Sequence, residues 1–434
     1  MNRLHMNNPN STRGVMTRRE CLRRVSAGGM ALALPGGLAS LADASVGPKS
    51  IAAILTVYRP GLHADVLVGK ILEGWEQDGG AGPNLKVASM YLDQSKPDDL
   101  GFVLAKKYNI PIFTTIEDAL TLGTRQLAVD GVLSVGEHGD YPWNKKGQHL
   151  YPRRRFFEHI LATFKKTGMV VPVFNDKHFG PVWSDAEWMY NAARALNVPL
   201  MAGSSIPVSF RRRAPTIAMN SKIQEIAAVG YHELDTYGFH ALEILQAFAE
   251  RRAGAETGVR WVQCLQGEQM TQAIANGRVS ESLLDAAVAT LPKRRDAEDK
   301  RWQTLTGDNV ALFLFEYNDG LRGSVLMLGR HVRRGFAVAV QPTGHQNPMA
   351  TQIEERREPY YPHFAYLMKA IERMFHTGQP TYPAERTLLV TEILDRILTS
   401  RLEGYRRVET PELTINYRPV DYPYAPNPPL NELG

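Results

Sequence analysis

The chain has 434 residues, with 50 lysines and arginines against 45 aspartates and glutamates, a formal charge of +5. Residues 1–44 hold six of the arginines and two of the acids, so the remainder carries 44 basic and 43 acidic side chains, near +1. So even a balance gives no electrostatic footprint for nucleic acid. Of the two cysteines, only Cys264 lies beyond residue 44, which excludes an intrachain disulfide or a cysteine metal cluster in the remainder.

Taken in chain order, the first feature is Thr17-Arg18-Arg19-Glu20-Cys21-Leu22-Arg23, which reads as a twin-arginine signal. An apolar run from Val25 to Leu41 follows, then Ala42-Asp43-Ala44 as small residues for cleavage before Ser45. Gly28, Gly29, Pro35, Gly36 and Gly37 leave the run too short and broken for a membrane span. The expectation is a periplasmic protein exported with the twin-arginine translocase as its partner. The plainer reading is a disordered basic arm.

The remaining chain, about 390 residues, is long for one core and suggests two domains. Apolar runs at Ile51–Leu55, Leu85–Leu92, Ile110–Phe113, Asp130–Val135, Met169–Phe174 and Val198–Met201 read as strands. Between them His63–Trp75, Leu100–Tyr108, Thr115–Leu122, Phe156–Lys166 and Trp183–Leu196 have helical spacing. That alternation predicts an α/β fold with a doubly wound parallel, Rossmann-like sheet over residues 50–205. From 206 to 383 the strands Val310–Tyr317, Leu321–Leu328 and Phe336–Val340 crowd together around turns such as Asn318-Asp319-Gly320. This predicts an α+β domain with a largely antiparallel open sheet, covered by helices such as Tyr237–Arg251. Residues 384–434 supply a last helix, Ala384–Glu403, and an extended Pro- and Tyr-rich tail from Tyr417 to Pro429.

Thr56-Val57-Tyr58-Arg59-Pro60-Gly61 follows the first strand, where a dinucleotide fold needs glycines for a tight turn and close phosphate approach. The spacing falls on Thr56, Tyr58 and Gly61, so only the last glycine is present. Arg59 and the helix start that follows offer a phosphate partner. Asp93, ending the second strand, stands where an acid would hold a ribose hydroxyl, or is a turn residue. Glu137-His138-Gly139-Asp140-Tyr141 and Asn175-Asp176-Lys177-His178 each follow a strand whose end faces the ligand crevice of such sheets. Lys177 there can polarise a hydroxyl. His232, Asp235, His240 and Glu243 surround one helix start, as metal ligands, as a general base with its carboxylate, or as structural groups. Arg153-Arg154-Arg155 and Arg211-Arg212-Arg213 read as solvated clusters, with anion binding as the rival.

In order and spacing these elements resemble the glucose–fructose oxidoreductase / inositol dehydrogenase (Gfo/Idh/MocA) family over residues 50–410. Asp176-Lys177-His178 resembles its Glu-Lys-Pro signature, keeping the lysine. Asp235-Thr236-Tyr237-Gly238-Phe239-His240 resembles its Asp-x-Gly-x-His element, with Asp235 one residue early. Phe375–Pro380 and the helix after it resemble the C-terminal segment that returns to the first domain.

The resemblance implies NAD or NADP as cofactor and oxidation or reduction of a sugar or polyol hydroxyl. On that reading His240 takes the hydroxyl proton, Lys177 hydrogen-bonds the reacting oxygen and Asp235 orients His240, while Thr56, Tyr58, Arg59, Gly61, Asp93, Glu137 and His138 surround the cofactor. It also implies a homo-oligomer packed through the open sheet. Two rivals remain at this stage. One is a non-redox carbohydrate hydrolase or lyase, with or without a metal, in a pocket of His63, Glu137, His138, Asp140, Lys177, His178 and His240. The other is an inactive sugar-binding module.

Overall fold

The structure, a computed structural model, describes residues 47–96, 99–212, 215, 217–292, 302–332 and 334–426. The predicted signal segment 1–44, with Cys21, lies outside them, as do Arg213 and the tail beyond 426.

The first half runs β1 (Lys49–Leu55), α1 (His63–Glu73), β2 (Leu85–Leu92), α2 (Leu100–Tyr108), β3 (Ile112–Phe113), α3 (Ile116–Thr121), β4 (Gly131–Val135), α4 (Arg153–Thr167), β5 (Val173–Asp176), α5 (Trp183–Ala195) and β6 (Leu200–Gly203). The six strands form one sheet in the order β3-β2-β1-β4-β5-β6, every neighbouring pair parallel. From Ile51 to Leu55 strand β1 is apolar because both its faces are buried there. Ile51, Ala53 and Leu55 enter the core with α1 and α2, while Ala52 and Ile54 enter the core with α3, α4 and α5. The strand order reverses between β1 and β4, and ligands of such sheets bind in the crevice beyond the strand ends there.

The second half adds β7 (Phe210–Arg212), β8 (Ile223–Gly230), α6 (Thr236–Ala249), β9 (Val259–Leu265), α7 (Gly267–Ala275), α8 (Glu281–Val288), β10 (Val310–Tyr317), β11 (Arg322–Leu328), β12 (Phe336–Pro342), β13 (Met349–Glu354), α9 (Pro362–Thr377), α10 (Glu385–Leu402) and β14 (Val408–Glu409). Its eight strands are ordered β14-β9-β10-β11-β8-β12-β13-β7, and β11–β8 alone is a parallel pair. The sheet does not close on itself, yet neither face is bare: α6 and α10 cover one, α7 and α8 the other.

Two helices of the second half also pack into the core of the first. Helix α9 lies in the stretch assigned to the second domain, but Phe364, Leu367, Ile371 and Phe375 pack beside α1 in the first core. Helix α10 sits between the layers: Leu388 joins the β1–β4 core, and Leu389, Ile393 and Ile397 join the core of the second sheet. Arg386, buried in α10, fastens this arrangement through two bonds to Glu250 (3.0 and 2.5 Å), which also accepts the Tyr417 hydroxyl at 2.7 Å.

Candidate active site

Past β4 the chain turns through Gly136 into Glu137, which is 2% exposed and is bonded by two cations. Lys177 Nζ donates to Oε1 at 2.8 Å, and the guanidinium of Arg153 donates to Oε2. Arg153 is the first residue of α4 and has no solvent exposure. Its stem fits because Gly136 has no side chain: a Cβ there would stand 2.8 Å from Arg153 Cγ. Burial acts to raise the Glu137 acid, but Lys177 and then Arg153 hold it well below the usual carboxylate range. The tri-arginine cluster is thus not one solvated patch. Arg153 is buried, Arg154 pairs with Glu158 and Asp185, and Arg155 pairs with Asp93. In the second cluster Arg211 stacks on Phe248 and Tyr424, and Arg212 pairs with Glu354.

Lys177 (φ 62°) and His138 (φ 68°) both adopt the left-handed conformation, uncommon outside glycine and costly unless the surroundings impose it. At Lys177 the imposed contact is its N–H donating to Gly203 O at 3.0 Å. This turn sends the Lys177 ammonium to Glu137, while the preceding Asp176 accepts a bond from His63 Nδ1 at 2.6 Å.

Beside these groups lies a cavity of about 260 Å³. His63, His138, Lys177, Tyr237, His240 and His363 line one part of it, and Arg334, Glu355, Arg357 and Tyr361 face them from the second sheet and the approach to α9. Burial lowers His138 and His363 to about 3 and lowers His240 well below its ordinary value, so these three imidazoles are neutral near pH 7. His240 Nδ1 is 2.6 Å from Ser204 Oγ, which also accepts the Ile206 N–H at 3.0 Å.

Several residues named from the sequence therefore meet, and others do not. His63, His138, Lys177, His240 and Gly61 line the cavity, while Glu137 and His178 are buried behind it and Asp140 is exposed. Asp235 does not orient His240: it accepts the His149 N–H at 3.2 Å, its other oxygen has no partner among the described residues, and the group on His240 is Ser204. Glu243 accepts the Thr387 hydroxyl at 2.8 Å, and His232 bonds its neighbour Glu233, so the four groups around the start of α6 diverge. Among the described residues no group of three His, Cys, Asp or Glu could hold a metal ion. Ser204, Arg334, Glu355, Arg357, Tyr361 and His363 were not anticipated. Tyr361, just before the Pro362 of α9, adopts the left-handed conformation (φ 46°).

The β1–α1 loop is also different from a phosphate cradle. Tyr58 does not obstruct the crevice, because its ring is fully buried in the first core. Thr56 is buried, donating to Glu137 O at 2.5 Å, and Arg59 is exposed. The Gly61 N–H, with φ 71°, donates to Asp65 Oδ2 at 2.7 Å, and the same oxygen accepts the Tyr360 hydroxyl at 2.6 Å. Asp93 accepts bonds from Tyr91 (2.7 Å), Tyr141 (2.7 Å) and Arg155 (2.6 Å). Gln94 makes two further bonds to the backbone of Asp140, at 2.8 and 2.7 Å, so the β2 and β4 loops are joined across the end of β1.

No family model matches the chain, and no curated protein matches it. Solved structures do. GenD2 from gentamicin A biosynthesis, in complex with NAD, aligns over 84% of this chain and 97% of its own at a TM-score of 0.53 and 14% identity. Myo-inositol 2-dehydrogenase from Lactobacillus plantarum aligns over 83% and 99% (TM-score 0.51, 12% identity). Apo scyllo-inositol dehydrogenase from Lactobacillus casei aligns over 84% and 98% at the same score and identity. At these identities what is shared is the fold. It is the two-domain fold that the sequence resemblance implied.

Asp235 gives a test of the site's electrostatics. Burial raises it from 3.8 to about 7, so the folded protein binds its proton more tightly than the unfolded chain does. That contribution to stability is complete below about pH 4 and is lost as pH rises to about 7. Urea denaturation of Asp235→Asn should accordingly show the variant gaining on the parent chain between pH 4.5 and pH 8, by up to about 3 kcal/mol. A difference independent of pH contradicts the assignment.

Proposed function

We propose that the protein is an NAD- or NADP-linked oxidoreductase acting on a hydroxyl of a sugar or polyol. The observation that carries this reading is the convergence of Lys177 and His240 on one cavity beyond the strand-order reversal, in a fold shared with inositol dehydrogenases. Lys177 keeps ammonium hydrogens beyond the one given to Glu137, and His240 offers a ring nitrogen to the cavity. Between them they can hold the substrate oxygen and stabilise charge on it as the C–H bond breaks.

The cavity offers the cofactor an approach along the start of α1. The cavity reaches Gly61, Leu62 and His63, so the start of α1 opens on it, and the first amides of a helix have no acceptor inside the helix. The adenosine end fits only with rearrangement, since Asp93 is already bonded three times and Gln94 bridges to Asp140. When bound, the oxidised nicotinamide supplies the hydride acceptor. Lys177, His240 and His138 would lie around its reactive end.

Export through the twin-arginine pathway is proposed from residues 17–44 alone, and loss of periplasmic reporter activity on Arg18→Lys/Arg19→Lys replacement would be its check. For the enzyme, native mass spectrometry of freshly purified protein followed by denaturation should release NAD or NADP. Reduced cofactor should then form on adding polyols such as myo-inositol. Protein that carries no dinucleotide and binds neither added form contradicts the proposal.

A further inference from the structure

We infer that His63, rather than His240, takes the proton from the substrate hydroxyl, with Asp176 fixing its tautomer. This deepens the oxidoreductase reading and rests on it for the reaction. The tautomer assignment itself rests on hydrogen-bond accounting alone.

A carboxylate oxygen only accepts. His63 Nδ1 lies 2.6 Å from Asp176 Oδ2, and Asp176 is 1% exposed. The Nδ1 therefore carries the hydrogen, and the lone pair is on Nε2. His63 lines the cavity, its ring edge-on to Phe364 at 5.2 Å and 5.3 Å from that of His138, which limits how it can turn. The second carboxylate oxygen, Oδ1, is buried without a hydrogen-bond partner among the described residues, so Asp176 makes its side-chain bond to this imidazole.

His240 is the reverse case. Ser204 Oγ accepts the Ile206 N–H at 3.0 Å, and among the described residues its own hydrogen has no acceptor but His240 Nδ1 at 2.6 Å. A buried hydroxyl left without an acceptor is costly. Nδ1 therefore accepts, and Nε2 carries the hydrogen. A nitrogen already protonated donates to the substrate oxygen and cannot receive its proton. Lys177 is likewise a donor. Among the described histidines of the cavity only His63 has a carboxylate on its ring.

The step balances. The hydroxyl O–H bond breaks and its proton passes to His63 Nε2. The C–H hydrogen would leave with its bonding pair, as the hydride that an oxidised nicotinamide accepts when bound. A carbonyl remains, its oxygen held by Lys177 and the Nε2–H of His240. Asp176 and Lys177, adjacent at the end of β5, thus serve opposite functions: one orients the base, the other binds the product oxygen.

The test is two-bond nitrogen–proton correlation spectroscopy on the full folded chain with ¹⁵N-labelled histidine near pH 7.5. Signals are assigned by loss in His63→Gln and His240→Gln. The expected result is His63 protonated at Nδ1 and His240 at Nε2, with Asp176→Ala shifting His63 toward the Nε2–H form favoured by free imidazole. His63 protonated at Nε2, or His240 at Nδ1, overturns the assignment. With myo-inositol, or another polyol that the parent chain turns over, His63→Gln should lose about 10²- to 10⁴-fold in kcat/KM while dinucleotide affinity is kept. Retained turnover overturns the role. If the parent chain turns over no polyol, the oxidoreductase reading fails, while the spectra still decide the tautomers.

Discussion

A carboxylate buried between two cations determines how this site is built. Glu137 comes from the end of β4, Lys177 from the end of β5 and Arg153 from the start of α4, so one ion cluster ties together three segments. None of the three is more than 3% exposed at its side chain. Burying any of these charges alone would cost several kcal/mol, and the cluster is tolerable only because each has its partner. The left-handed backbone at Lys177 and the absent side chain at Gly136 are the local means by which the chain meets that demand. The consequence is that Lys177 is presented to the cavity from a fixed root, and Asp176, next to it, is fixed toward His63.

The fold was largely legible because its signals are periodic. The strands of the first sheet are buried on both faces and read as apolar runs, and Leu100–Tyr108 and Leu85–Leu92 occur at the predicted bounds. The second sheet was less legible. Strand β8, IQEIAAVG, carries Gln224 and Glu225 near its start, and α9 opens with Pro362 after two tyrosines, so neither shows its period at once. Nor does a sequence reveal that α9 packs with α1, which depends on where the chain returns after crossing the second sheet.

The site was legible as loops and not as contacts. Glu137, His138, Lys177 and His240 could be found because they follow strands or begin a helix facing the crevice. Their partners could not. Arg153 looked like one of three solvated arginines, although it is the fully buried one. Ser204 carries no motif, and Asp235, which has the better chemical credentials, is turned toward the His149 backbone. Spacing identifies a neighbourhood, while hydrogen-bond geometry identifies the role. The altered glycine loop shows the same distinction. Tyr58 stands where the motif spacing calls for a glycine, yet its ring is packed inward. The group that competes there is the buried Asp65, which takes the Gly61 amide.

The most direct test of the account is a double-mutant cycle on Glu137 and Lys177, read by urea denaturation at pH 7. Glu137→Gln leaves two buried cations without their carboxylate and should cost about 3–5 kcal/mol. Lys177→Met should cost less, because Arg153 still pairs with Glu137. The double variant should be more stable than the sum of the single losses predicts, by at least about 1 kcal/mol. Losses that simply add, or a Glu137→Gln protein as stable as the parent chain, would show that the cluster does not organise the site.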